Sequence, residues 1–195
     1  MIGRIRRLLR DERGTYIVEF AVVLPVFLTA VMGGMDLCYR GYTQSLLTGA
    51  VQKVGRDSSL QGGAGNIAAN DAKVAAAVRT IAKDATFVYT RTSFTRFRDV
   101  EGEPFTDDNA DGDRDPGECY DDVNGNSNWD ASVASVGQGG ADDVVLYKVE
   151  ATYPRLFPLA GLLGWPDYQK ISAETMLKNQ PYASQNLPTV GVKCT

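Results

Sequence analysis

The sequence predicts an α+β protein with a long N-terminal transmembrane helix, a second helix, and a small antiparallel sheet carrying an acidic loop insertion. Three observations predict it. An uncharged apolar run, Phe20 to Met35, follows an arginine-rich start; two stretches of helical periodicity come next; and three β-rich runs are divided by a segment of extreme negative charge, residues 101–130.

The first thirteen residues carry Arg4, Arg6, Arg7, Arg10 and Arg13 against Asp11 and Glu12. Basic flanks stay cytoplasmic, so the chain beyond Asp36 is expected outside, in the periplasm or beyond the cell. Thr15 to Met35 is about 20 residues, enough to cross a hydrocarbon core of roughly 30 Å as a helix. Glu19 is out of place in that span. A charge at mid-membrane costs about 2.5–3.5 kcal/mol, so Glu19 needs an interface or a partner. No small-residue cleavage site follows Met35, where Asp36, Leu37, Cys38 and Tyr39 stand, so removal by an ordinary signal peptidase is not expected.

The stretch Gly14-Thr15-Tyr16-Ile17-Val18-Glu19-Phe20 resembles the prepilin peptidase motif, a glycine followed by four residues and a glutamate. The resemblance implies a basic leader, residues 1–14, cut after Gly14, a new amino terminus at Thr15, and pairing of Glu19 with the amino terminus of a neighbouring subunit. Phe20 and Pro25 are also similar to type IV pilins and pseudopilins. Further along, Ala151-Thr152-Tyr153-Pro154-Arg155-Leu156-Phe157-Pro158-Leu159-Ala160-Gly161 and Lys178-Asn179-Gln180-Pro181-Tyr182 resemble the carboxyl half of TadE-like proteins, minor pilins of tight-adherence pilus systems. That family usually has Glu-Pro-Tyr where Gln180 begins the triplet here. The resemblance spans residues 10 to about 57 and 144–182, and it implies an inner-membrane subunit whose partners are other pilins, the pilus assembly machinery and the prepilin peptidase.

Tyr39 to Val54 reads as a continuation of the first helix, with Leu46, Leu47, Ala50, Val51 and Val54 at three- and four-residue steps, so residues 15–57 form one anchor and extended helix. Gly55 to Gly65 reads as a break. Asn66 to Ala85 is again helical, with Ile67, Val74, Val78 and Ile81 on one stripe. Phe87–Phe97, Val144–Tyr153 and Tyr168–Leu177 are rich in β-branched and aromatic residues and read as strands. Together, residues 58–182 are expected to form a head, with residues 183–195 as a tail.

The insertion has eleven acidic side chains and one basic one, Arg114, in a chain whose net charge is only −4. Its spacing argues against a disordered run. Asp107, Asn109, Asp111, Gly112 and Glu118 fall at the ligand and turn positions of an EF-hand loop, with Asp113 seventh and Asp115 ninth. The pattern returns fifteen residues on. Glu103 maps onto Glu118, Phe105 onto Tyr120, Asp107 onto Asp122, Asn109 onto Asn124, Asp111 onto Asn126, Asp113 onto Asn128 and Asp115 onto Asp130. In the second copy Ser127 stands where the glycine belongs and Val133 where the twelfth-position glutamate belongs, which predicts a weaker site or one that shares ligands with the first. Oxygen donors without histidine or thiolate favour Ca²⁺. Helices need not flank the loops, since Pro104 and Pro116 disfavour them.

Cys119 and Cys194 both lie in the outer part, where a disulfide between them would tie the tail to the insertion. There is no histidine, which removes the commonest general base and most nucleophile pairs, so no catalytic residue is assigned and an enzyme is not expected. Nucleic acid is not an expected partner: the leader contributes +3, leaving about −7 outside it. The expected protein is therefore a minor pilin-like subunit with an external, calcium-stabilised head. The alternative is an uncleaved, membrane-anchored, calcium-dependent binding or adhesion module.

Overall fold

The computed structural model describes residues 15–60, 66–157, 161, 164–183, 185 and 189–194. The leader, with Gly14, lies outside the described residues. The chain divides into two compact units, Met1–Tyr42 with Pro154–Gln169, and Thr43–Tyr153 with Lys170–Thr195.

Helix α1, Thr15–Ser59, is a single 45-residue element with Pro25 inside it. Proline supplies no backbone donor there, and Thr29 Oγ1 donates to the Pro25 carbonyl at 2.8 Å. In the first unit the helix is long and apolar enough to cross a membrane, with a mean hydropathy of 2.1 over its most apolar window, none of it buried against protein. Tyr16, Ile17, Phe20, Val22 and Phe27 all project outward, Tyr16 with 75% of its surface free. Asp36, the first charge after that run, accepts from Arg155 Nη1 at 2.6 Å and Gln169 Nε2 at 2.7 Å.

In the second unit the same helix has a buried apolar stripe of Leu47, Val51 and Val54. It does not break at Gly55 but runs on to Ser59. The reason is packing: a Cβ at Gly55 would come within 2.5 Å of Leu177 Cδ1 and 2.7 Å of Thr175 Cγ2, so this glycine lets a strand approach the helix closely. Helix α2, Ile67–Arg79, is shorter than its periodicity suggested. Its end is fixed by Ala82 N–H, which bonds the Val78 carbonyl at 2.9 Å, and by Arg79, whose guanidinium donates to the Ala85 carbonyl.

Strands β1 (Thr86–Phe94), β2 (Cys119–Asp122), β3 (Ser135–Val136), β4 (Val144–Pro154), β5 (Tyr168–Lys178) and β6 (Gly191–Cys194) form two sheets. The larger has the order β3-β1-β4-β5, with β1 antiparallel to both β3 and β4. The strand period puts Val145, Tyr147, Val149, Ala151 and Tyr153 on one face, all buried, while Lys148 and Glu150 take the other. Both helices cover the buried face. Asp71 of α2 accepts both Nη groups of Arg91, at 3.1 and 2.6 Å, and the Tyr147 hydroxyl at 2.7 Å. Burial, and then that bond to the Asp71 carboxylate, push the Tyr147 hydroxyl well above its ordinary range, so it remains a donor. On the open face Lys170 and Lys148 hold the Glu150 carboxyl below its usual value. The small sheet pairs β2 with β6, so residues 191–194 of the expected tail are a strand.

Candidate functional site: the paired acidic loops

A short 3-10 helix, Phe97–Glu101, leads into the insertion, which folds as two copies of one loop. In the first, Asp107 Oδ1 and Oδ2 accept the backbone N–H groups of Ala110 and Gly112 at 2.6 and 2.9 Å. In the second, Asp122 does the same for Gly125 and Ser127 at 2.7 and 2.9 Å. Asn109 and Asp111 each accept the N–H two residues ahead, and so do Asn124 and Asn126. Asn109 Nδ2 donates to Asp115 at 2.9 Å, matched by Asn124 Nδ2 to Asp130 at 2.6 Å. These short side chains form consecutive turns because aspartate and asparagine bond their own backbone in place of a helix or ladder.

The backbones repeat as closely as the side chains. Ala110 and Gly125 both have positive φ, 60° and 78°, as do Gly112 and Ser127, 87° and 62°. Ser127 thus adopts the conformation for which the first loop uses glycine. Gly102 and Gly117, also fifteen apart, share φ 101°. At Gly102 a Cβ would additionally lie 2.7 Å from the Ala131 carbonyl oxygen.

What closes each loop was not legible from its own copy. Glu118 Oε1 accepts Asp108 N–H and its Oε2 accepts Asp115 N–H, both at 2.9 Å. In the second loop these positions are Val123 and Asp130, and their N–H groups go to Glu103 Oε1 and Oε2 at 2.7 and 3.0 Å. Each copy therefore lends its leading glutamate to the other: Glu118 opens the second repeat and closes the first loop, while Glu103 opens the first repeat and closes the second loop. Val133 is not a degraded ligand; the role it was expected to lack belongs to Glu103. The signal was present in the fifteen-residue register, which already set Glu103 on Glu118.

This exchange has an approximate twofold axis through the antiparallel bridge of Phe105 with Tyr120. Thr106 N–H donates to Cys119 O and Asp121 N–H to Pro104 O, each at 2.8 Å. The Arg114 guanidinium stacks on Tyr120 at 4.8 Å and donates to Glu118 O; Trp129 meets Phe105 edge-on at 5.9 Å and donates to Glu103 O. Glu103, Glu118 and Asp122 are buried, 2%, 5% and 2% exposed, yet every carboxylate oxygen is satisfied by backbone. Beside the axis, Cys119 and Cys194 form a disulfide, S–S 2.00 Å, linking β2 to β6.

Among the described residues, no three carboxylate or thiolate groups converge closely enough to form a metal cage. Asp107, Asp111, Asp115 and Glu118 are brought into one loop, but their oxygens take backbone N–H groups and the Asn109 amide, which bridges Asp111 and Asp115 at 2.9 Å each. Asn124 and Asn126 both aim their amide nitrogens at Asp130, at 2.6 Å. Asp113 is exposed and Asn128 bonds only within its own loop. The processing residues lie elsewhere: Thr15 is the first residue of α1, and Glu19 and Phe20 are exposed on it.

Curated proteins and solved structures provide no significant match to this chain. A family model does match: residues 14–56, under a quarter of the 195, are similar to the family described as TadE-like protein, and that stretch is α1 almost to its end.

Proposed function

We propose that this chain is a minor pilin-like subunit of a tight-adherence pilus system, cut after Gly14 and held in the inner membrane by Thr15 to Met35. The observation that carries the reading is that the TadE-like match at residues 14–56 falls on an unburied apolar helix long enough to cross a membrane. Its work is lateral packing of that helix with other pilins during initiation or assembly of the fibre, with Glu19 meeting a neighbour's new amino terminus. Intact mass and amino-terminal sequencing of the protein from its native membrane test it. A terminus at Thr15 supports prepilin-type processing; a terminus at Met1 or Ile2 overturns it and favours the uncleaved, membrane-anchored adhesion module.

The head is proposed to be stabilised by Ca²⁺. The residue types are those a hard cation takes, oxygen donors from Asp107, Asp111, Asp115 and Glu118 in one loop and from Asp122, Asn124, Asn126, Asp130 and Glu103 in the other, and binding would draw them from their backbone N–H partners onto the ion. The amide nitrogens of Asn109, Asn124 and Asn126 point at the positions where a positive charge is best stabilised, between the acceptor oxygens. Extracellular sites have dissociation constants of roughly 0.1–1 mM, so 10 mM Ca²⁺ should add about 1.4–2.7 kcal/mol per occupied loop. Melting of the full chain in detergent with Ca²⁺, Mg²⁺ or a chelator reads this directly. Equal melting in all three overturns it.

A further inference from the structure

The connection between β4 and β5 carries, among its described residues and at the start of β5, a second exposed apolar surface of Leu156, Trp165 and Tyr168, distinct from the α1 face proposed to meet other pilins. Its two ends are fixed at one point. Arg155 donates through Nη1 to Asp36 and through Nε to the Pro166 carbonyl at 2.8 Å, its backbone N–H bonds Asp167 O at 3.0 Å, and Gln169 donates to the same Asp36 oxygen. Asp36 is the first charge after the apolar run of α1. The loop ends therefore sit at the outer limit of the membrane-crossing segment.

The chemistry of the loop suits that depth. Between Arg155 and Asp167 there is no charged residue. Trp165, Leu156 and Tyr168 are 57%, 48% and 62% exposed, although Val145, Tyr147, Val149, Tyr153 and Ile171 of the neighbouring strands are buried. Arg155 stacks over Trp165 at 5.6 Å, with its guanidinium held by Asp36. Tryptophan and tyrosine prefer the headgroup level, where the ring is in an apolar layer and its N–H or O–H stays wet, and arginine stems bridge the same boundary.

We propose that Leu156, Trp165 and Tyr168 form an interfacial anchor that enters the outer boundary of the lipid bilayer beside α1, with the Asp36–Arg155–Gln169 cluster setting its depth. The occupant of this surface is lipid, because the surface is continuous with the membrane-crossing segment through Asp36. A tether at this second point restricts rotation of α1 about its own axis, which a single helix crossing leaves free. The inference rests on the membrane-anchored reading above.

Trp129 and Trp165 are the only tryptophans, which makes the test direct. The full chain carrying Trp129→Phe is reconstituted in phosphatidylcholine–phosphatidylglycerol vesicles, and Trp165 emission is read against lipids brominated near the headgroup end of their chains and against aqueous iodide. Blue-shifted emission, strong loss to the brominated lipid and little loss to iodide are expected. Emission like that of indole in water, quenched by iodide alone, overturns the anchor. Protection from both quenchers also overturns it, in favour of a protein neighbour. Phe27→Trp in a Trp129→Phe, Trp165→Phe background separates this from failure of the membrane reading: if the indole introduced into α1 is quenched by lipid brominated deep in its chains and Trp165 is not, the helix crosses and only the anchor is wrong.

Discussion

The two acidic loops reach the same geometry with different residues. The first has a glycine at its sixth position, and its closing glutamate follows it in sequence; the second has Ser127 there, and its closing glutamate precedes it by nineteen residues, at 103 against 122. The difference teaches that the duplicated unit is not the EF-hand loop. It is a fifteen-residue piece opening on a glutamate, and two pieces are needed before either loop is closed. A single copy would leave two backbone donors without acceptors, at about 1–3 kcal/mol for each buried group.

The largest effect should come from a change that treats both loops alike. Replacing Cys119 and Cys194 by serine releases β6 from the pivot strand, and loss of a native disulfide typically costs about 2–5 kcal/mol. Chemical denaturation with and without reductant should show this drop, with Ca²⁺ response reduced in both loops together. Next, Glu103→Ala should cost about 2–4 kcal/mol, since it leaves the N–H groups of buried Val123 and half-buried Asp130 without an acceptor, and Glu118→Ala less, since Asp108 and Asp115 are exposed and their N–H groups can turn to water. Under the proposed Ca²⁺ stabilisation, calcium titration followed by Trp129 emission distinguishes them: Glu103→Ala should abolish the response of the second loop and Glu118→Ala should perturb the first. If Glu103→Ala matches wild type in both stability and calcium response, the exchange of glutamates is wrong.

A smaller effect sharpens the contrast at the sixth position. A non-glycine residue in the left-handed region costs about 1–2 kcal/mol, so Ser127→Gly should stabilise the head and Gly112→Ser should destabilise it by about 1 kcal/mol, both read from melting temperature. The smallest concerns Asp99, the buried carboxylate that belongs to neither loop. Glu103 and Glu118 have their oxygens filled by N–H donors; Asp99 is fully buried, neither oxygen has a well-formed hydrogen bond among the described residues, and Arg98 Nε is 3.5 Å away. Burial raises its carboxyl above the ordinary 3.8, against the opposing pull of Arg98 and Arg96. A raised carboxyl favours folding below its unfolded value, and that contribution is lost as pH rises from 3.8 through the folded value. Asp99→Asn should therefore melt higher than wild type at pH 7, with the gap closing as pH falls toward 4. A constant gap across that range would show that Asp99 does not titrate in this way.

Much of this was written in local pattern. The apolar run, the alternation in Val144–Tyr153 and the Asp-x-Asn-x-Asp-Gly spacing each imply their structure because the forces involved act within a few residues: burial period, turn chemistry and hydrogen bonds to the next N–H. The β4 and β5 boundaries agree with those expected to within one residue, and Cys119 does meet Cys194. Where the pattern misled, a distant partner had changed the outcome. Gly55 looked like a break and is a point of close packing against Leu177. No element was assigned within the tail, residues 183–195, yet β2 gives Gly191–Cys194 an edge to pair with. Val133 looked like a missing ligand until Glu103 took its place.

The elements, the long apolar helix, the turn-forming Asp and Asn loops and the repeat are legible in the residues alone, because each rests on contacts between near neighbours. Which carboxylate closes which loop, and what holds Asp36 at the end of the apolar run, is set by the path of the folded chain. Glu103 with Asp130 and Asp36 with Arg155 are 27 and 119 residues apart, and at such separations the chain's path, not local preference, selects the partner.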